Sequence, residues 1–144
     1  ELMLAVHDFR LTSGDSFKLA LYTSSATIDA NTTAYTVSNE VTGTNYTAGG
    51  GALVNLGVTA TNTNASAGTG FTDFTDLTFT TATITARGAL IYNTTPSANG
   101  TANTTLTNAA VCALDFGSDK TSTAGDFTII FPTATNTTAI IRIA

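Results

Sequence analysis

The sequence predicts an all-β, single-domain sandwich, and three observations carry that expectation. The first is apolar–polar alternation from Leu77 to Ala86, broken once at Thr80-Thr81, in which Leu77 and Phe79 and then Ala82, Ile84 and Ala86 are interleaved with threonines. A repeat of two places one set on the core face of a pleated strand and the other on the opposite face. The second is the spacing of further short apolar segments, which are separated by Gly, Ser, Asn and Asp turn signals. The third is threonine itself, about a fifth to a quarter of the chain, whose branched Cβ suits an extended backbone. At 144 residues the chain is the length of one domain, and a chain of this size buries roughly 70% of its extended surface on folding.

In chain order, Glu1–Phe9 is short and apolar, and one helical turn or a strand fits Leu2, Met3, Leu4 and Val6 equally. Ser13-Gly14-Asp15 is a turn signal. Phe17–Tyr22 alternates cleanly and reads as a strand. Ser24–Asn31 reads as loop, and Thr32–Glu40 lacks a repeat of two and is compatible with a short helix. Thr42–Gly51 is a Gly-rich loop or hairpin. Ala52–Ala60 reads as one strand with Gly57 inside it. Asn62–Gly70 is a small-residue connector.

The stretch Phe71–Tyr92 is the centre of the chain and reads as a buried β-pair. Thr80-Thr81 marks a turn or a switch of face, and Gly88 marks a bulge or a close backbone approach. Ala89, Leu90 and Ile91 do not alternate, as in a strand covered on both sides. Asn93–Asn108 reads as an exposed loop or loose hairpin tip of low complexity. Ala109–Asp115 is a strand, Gly117–Gly125 a polar turn region, and Asp126–Phe131 a strand stopped by Pro132. Ile140–Ala144 is the last strand. The sum is about seven or eight short strands, the pattern of a jelly-roll or Ig-like sandwich, with room for a short N-terminal helix.

Composition excludes several function classes. Charged residues make up 10% of the chain and the net charge is −5, so the basic patch that nucleic acid requires is absent. No apolar run approaches the length of a transmembrane helix, and Glu1-Leu2-Met3-Leu4 lacks the basic region and long apolar core of a signal peptide. Cys112 is the single cysteine and sits in an apolar run, which makes it a small buried hydrophobe.

Catalytic chemistry has little to stand on. His7 is the only histidine, no nucleophile elbow accompanies it, and a lone histidine is more often structural. One His and one Cys do not make a zinc site. The pairs Asp73/Asp76 and Asp115/Asp119 are the only calcium candidates; without EF-hand spacing they read first as turn residues. Arg87 stands alone in an uncharged run; it either pairs with Asp73, Asp76 or Asp115 or reaches solvent from an edge. The Asn-x-Thr/Ser triplets at Asn31, Asn45, Asn64, Asn93, Asn103 and Asn136 arise by chance in so Asn/Thr-rich a chain. The expectation is a protein with no enzymatic activity, no cofactor and no metal.

Four stretches carry a resemblance. They are His7-Asp8-Phe9; Phe17–Thr23 (FKLALYT); Asn39-Glu40-Val41 with Gly43 and Tyr46–Gly50; and Ala86–Tyr92 (ARGALIY) with Leu114–Gly117. In that order they resemble a family of small virion proteins from the structural modules of tailed bacteriophages. The resemblance spans most of the chain and implies a capsid decoration, or cement, protein on the outer capsid surface, present in the host cytoplasm during assembly. It implies the major capsid protein and further copies of the chain as partners, a homotrimer being favoured, with neither nucleic acid nor membrane. A neck, tail or head-fibre component is the alternative within virions. A receptor- or glycan-binding β-module is the alternative outside that class, with Tyr35 and Tyr46 as the loop aromatics available for stacking. The candidate interaction segment is Leu2, Met3, Leu4 and Val6, since an apolar terminus ahead of the first strand is a natural docking element.

Overall fold

The computed structural model describes residues 6–61, 68–98, 101–102 and 106–143, and those residues contain strands and loops but no helix. The strands are β1 (Phe17–Tyr22), β2 (Gly51–Leu53), β3 (Thr59–Thr61), β4 (Thr69–Thr72), β5 (Leu77–Asn93), β6 (Ser97–Ala98), β7 (Thr101–Ala102), β8 (Ala109–Ile129) and β9 (Ile141–Ile143). Seven of them form two antiparallel sheets, ordered β2-β1-β5-β8 and β3-β4-β9, while β6 and β7 pair as a separate ribbon. The expected all-β architecture is present. The helix considered for Thr32–Glu40 is not: the stretch is irregular and makes bridges at Ala34 and Glu40.

Strand lengths depart most from the sequence reading. Thr80-Thr81 is not a turn between two strands; β5 runs straight through it for 17 residues. Its register against β8 shifts between Phe79 and Ala82, Thr81 takes φ 51°, and its amide donates to Asp126 Oδ1 at 3.0 Å. The two threonines therefore switch faces by a bulge. Gly117–Gly125, read as a turn region, lies inside β8, which spans 21 residues. Apart from the buried Ser122, its polar residues face water from an edge strand, so turn-like composition there reflects exposure and bulging.

Two further readings are corrected. Ala52–Ala60 is not one strand: Gly51–Leu53 pairs with β1 in one sheet and Thr59–Thr61 with β4 in the other. The chain crosses between the sheets through Gly57, whose φ of 80° only glycine adopts readily. Asn93–Asn108 is not wholly an exposed loop. Asn93 is fully buried at the end of β5, and Ser97–Ala98 pairs with Thr101–Ala102. Residues 99–100 and 103–105 lie outside the described residues.

The core forms on both sides of β1 and the C-terminal half of β5. On one side Phe17, Leu19, Leu21, Ala89 and Ile91 join Phe9, Val41, Phe74, Phe79 and Phe127. Phe9 stacks on Phe17 at 4.7 Å with rings 5° apart, and Phe74 meets both edge-on. On the other side Ala20, Tyr22, Leu90 and Tyr92 are covered by Ala26, Ile28 and Tyr35 of the loop that follows β1. Two-sided cover explains why alternation fades in Ala89-Leu90-Ile91: no position there faces water, so none needs a polar side chain.

Candidate functional site

Among the described residues, polar side chains meet in a buried knot around Glu40, in a cleft around Arg87, and where His7, Asn93 and Asp15 join.

Glu40 is 7% exposed. Its Oε2 accepts from Tyr35 OH at 2.6 Å, and its Oε1 accepts from Tyr46 OH and the Gly49 amide, both at 2.7 Å. Tyr46 OH in turn accepts the Leu21 amide at 2.8 Å, tying the knot to β1. Tyr92 OH donates to the Gly49 carbonyl at 2.7 Å and Tyr22 OH to the Thr36 carbonyl at 2.5 Å. Tyr35 stacks on Tyr92 at 4.7 Å. All four tyrosines of the chain thus serve this region. Burial raises every one of their pKa values, Tyr22 to about 12. Bonds to Glu40 add to the rise at Tyr35 and Tyr46, because each phenol is held as a donor. The knot fastens the loops 23–40 and 41–50 to the sheet, and its polar groups are engaged with one another. Tyr35 and Tyr46, the aromatics considered for sugar stacking, are committed to it.

The residues singled out from sequence are spread through the molecule. Val6 is 1% exposed and packs inside its own domain, so the docking expectation rests on Leu2, Met3 and Leu4, which lie outside the described residues. His7 is buried; its Nε2 lies 3.1 Å from the Ala110 carbonyl and its Nδ1 3.2 Å from Asn93 Nδ2. That pairing makes Nε2 the donor and Nδ1 the acceptor. Asn93 Nδ2 also lies 2.7 Å from Asp15 Oδ2, so His7 and Asn93 fasten the N-terminal segment to the end of β5. Asp73 is fully buried, with Oδ1 on the Phe74 amide and Oδ2 on the Ile140 amide. Asp76 caps the Phe131 amide. Asp73 spends both oxygens on backbone and Asp76 spends Oδ1, as turn residues do. Among the described residues no three His, Cys, Asp or Glu side chains are grouped to hold a metal. Cys112 packs against the core half-buried, and burial pushes its thiol up to about 11.

Arg87 is where the sheet is least regular. Ala86 pairs with Lys120 and Gly88 with Asp115, so one residue of β5 faces the four residues Phe116–Asp119 of β8. The excursion carries two carboxylates to the guanidinium: Asp115 Oδ1 and Asp119 Oδ1 each lie 3.6 Å from it. Both contacts exceed hydrogen-bond length, and the Arg87 side chain is 43% exposed. The pairing expected with Asp115 is therefore present, Asp119 joins it, and the arginine also reaches solvent. A cleft of about 430 Å³ opens beside it, between Thr23–Ala30 and β8. Sequence spacing hid the cleft, because Arg87 and Ile28 meet only through the β1–β5 pairing.

The solvent face of β5 and β8 has a different character. Thr78, Thr80, Thr83 and Thr85 of β5 and Thr121, Thr123 and Thr128 of β8 are exposed. Thr78 bonds Thr128 and Thr85 bonds Thr121 across the strands, both at 2.9 Å. A scan against protein-family models finds no match to the chain, and neither do searches of curated proteins and of solved structures.

Proposed function

We propose that this chain is a non-catalytic structural protein of a tailed-bacteriophage virion, a decoration protein that binds the assembled head and stabilises it. The observation that carries this reading is the threonine face of β5 and β8. It is weakly charged, with Asp126 the carboxylate among its threonines, and rich in neutral donors and acceptors, and cross-strand Thr–Thr bonds hold part of it in place before any partner arrives. Side chains fixed in advance lose less entropy on binding than free ones. A surface of that kind suits a contact repeated over a lattice, where long-range charge would select against neighbouring copies. Beneath it, the buried side-chain polar atoms of the described residues are all hydrogen-bonded, as a rigid scaffold requires. A resemblance in four stretches of sequence points to the same class. Binding to the assembled lattice and not to its dissociated subunits stabilises the lattice by mass action, and threefold positions of a shell favour a trimer.

The test uses heads of the parent phage stripped of this protein. Added protein saturates them at a fixed copy number and raises the temperature at which they open, and Thr80→Glu with Thr123→Glu, at exposed positions outside the cross-strand bonds, abolishes both effects without lowering the protein's own unfolding midpoint. Removal of residues 1–5, which spares the buried Val6, weakens binding if Leu2, Met3 and Leu4 dock on a neighbour. Recovery of the protein with tails or necks, and none with heads, sinks the decoration reading.

A further inference from the structure

The geometry points to the cleft beside Arg87 as a binding site for a neutral saccharide unit, a function separate from attachment to a shell. Three features of the cleft argue for a ligand. The first is capacity: about 430 Å³ lies within the range of roughly 300–1,000 Å³ usual for small-molecule sites.

The second is unspent hydrogen-bonding. The carboxylate oxygens facing the Arg87 guanidinium stand 3.6 Å away, too far to use up its five N–H donors. Asp29 Oδ1 accepts the Asn31 amide and Asp115 Oδ1 accepts the Gly117 amide, which leaves Oδ2 of each carboxylate as an acceptor. Ser24 lines the same cleft, and Ile28 and Leu114 supply apolar surface. The third is that the backbone is shaped for the cleft. Gly88 lies so close to β8 that a Cβ there would sit 2.5 Å from the Leu114 carbonyl oxygen. The four-residue excursion opposite Arg87 is a bulge that redirects side chains, of the sort found next to binding sites.

The chemistry of the wall selects the ligand class. One cation lines the cleft against two carboxylates, Asp29 and Asp115, so an anion meets net repulsion. A cation is attracted by the same sum but repelled locally by the Arg87 guanidinium, which already stands 3.6 Å from Asp115 Oδ1. A neutral polyol suits an arginine donor set between two carboxylate acceptors, because each hydroxyl both donates and accepts. The apolar face of a pyranose ring matches Ile28 and Leu114.

The experiment is amide-resolved NMR titration of the isolated protein, with methyl glycosides of glucose, galactose and mannose as probes and with inorganic phosphate and acetate as anions. At least one glycoside shifts amides of 23–30, 87–88 and 113–115 together, and Arg87→Gln and Asp29→Asn each weaken its binding about tenfold or more. Asp29 is exposed in a loop, so Asp29→Asn remains decisive if Arg87→Gln fails to fold. Silence with every glycoside, shifts with phosphate or acetate alone, or full-strength binding by the folded variants overturns the assignment. None of these results depends on a phage particle, so the site and the decoration role fail separately.

Discussion

Replacing Glu40 separates a structural knot from a mere surface charge. In Glu40→Ala the hydroxyls of Tyr35 and Tyr46 and the amide of Gly49 lose their acceptor together. A buried donor left unsatisfied costs roughly 1–3 kcal/mol. Tyr46 and Gly49 are buried and stay dry, whereas Tyr35 is half-exposed and regains water. Two full penalties and a fraction of a third give a loss of about 3–5 kcal/mol, which is a large part of the 5–15 kcal/mol typical of a domain. Glu40→Gln keeps one carbonyl oxygen for Tyr46 and Gly49 and turns an NH₂ toward Tyr35, whose oxygen can accept. Only the charge assistance is lost, so about 1–2 kcal/mol is expected. Urea unfolding followed by circular dichroism measures both, with Tyr46→Phe as a check that the same knot is being cut. A Glu40→Ala loss below about 1 kcal/mol, or a Gln variant as damaged as the Ala variant, refutes the reasoning.

The tyrosines and the packed core set further expectations. Because the folded state holds the tyrosines protonated, stability is full below their unfolded pKa near 10 and falls as pH rises toward the folded value of about 12 at Tyr22; tyrosinate absorbance rising at pH 10 in protein that is still folded contradicts this. Phe79→Ala, which opens a hole against Tyr46 in the core, costs about 3–5 kcal/mol by denaturant midpoint, and an unchanged midpoint contradicts the burial. Gly50→Ala prevents folding, since the new Cβ would sit 1.8 Å from the Leu19 carbonyl oxygen. Gly117→Ala, with open space around it but φ 74°, costs only about 1–2 kcal/mol; equal soluble yield of the two variants argues against the close approach of Gly50 to β1.

How far the sequence could be read follows from what period-two patterns report. Phe17–Tyr22 alternates and emerged residue for residue as β1. The doubly covered run Ala89-Leu90-Ile91 was legible because its alternation stops. The register shift at Gly88 was legible too, because a glycine inside a strand points to a bulge or to backbone in close approach. The bulges at Thr81 and Ala124 were not: a bulge and a turn both ask for polar, permissive residues, and only the partner strand tells them apart. Asn93 looked like the first residue of a loop, yet its side chain meets Val6, His7 and Asp15, contacts that span some eighty positions of chain. Glu40 sat within six residues of Tyr35 and Tyr46, but nothing local says that the three converge. The cleft at Arg87 was invisible for the same reason: its walls are brought together by pairing.

The edge position of β8 raises a hazard that its interruptions answer. An unbroken strand of 21 residues would present about 70 Å of unpaired backbone to other chains in solution. With so little charge on the surface, repulsion offers weak protection against stacking into fibres. Register breaks fall at Val111, across Phe116–Asp119, at Thr123-Ala124 and at Asp126, so the longest run left in continuous register on that strand is Cys112–Asp115. Self-templating cross-β segments need six or seven residues in a row. The kinks that aim Asp115 and Asp119 at Arg87 thus also keep a threonine-rich, weakly charged chain from polymerising through its longest strand.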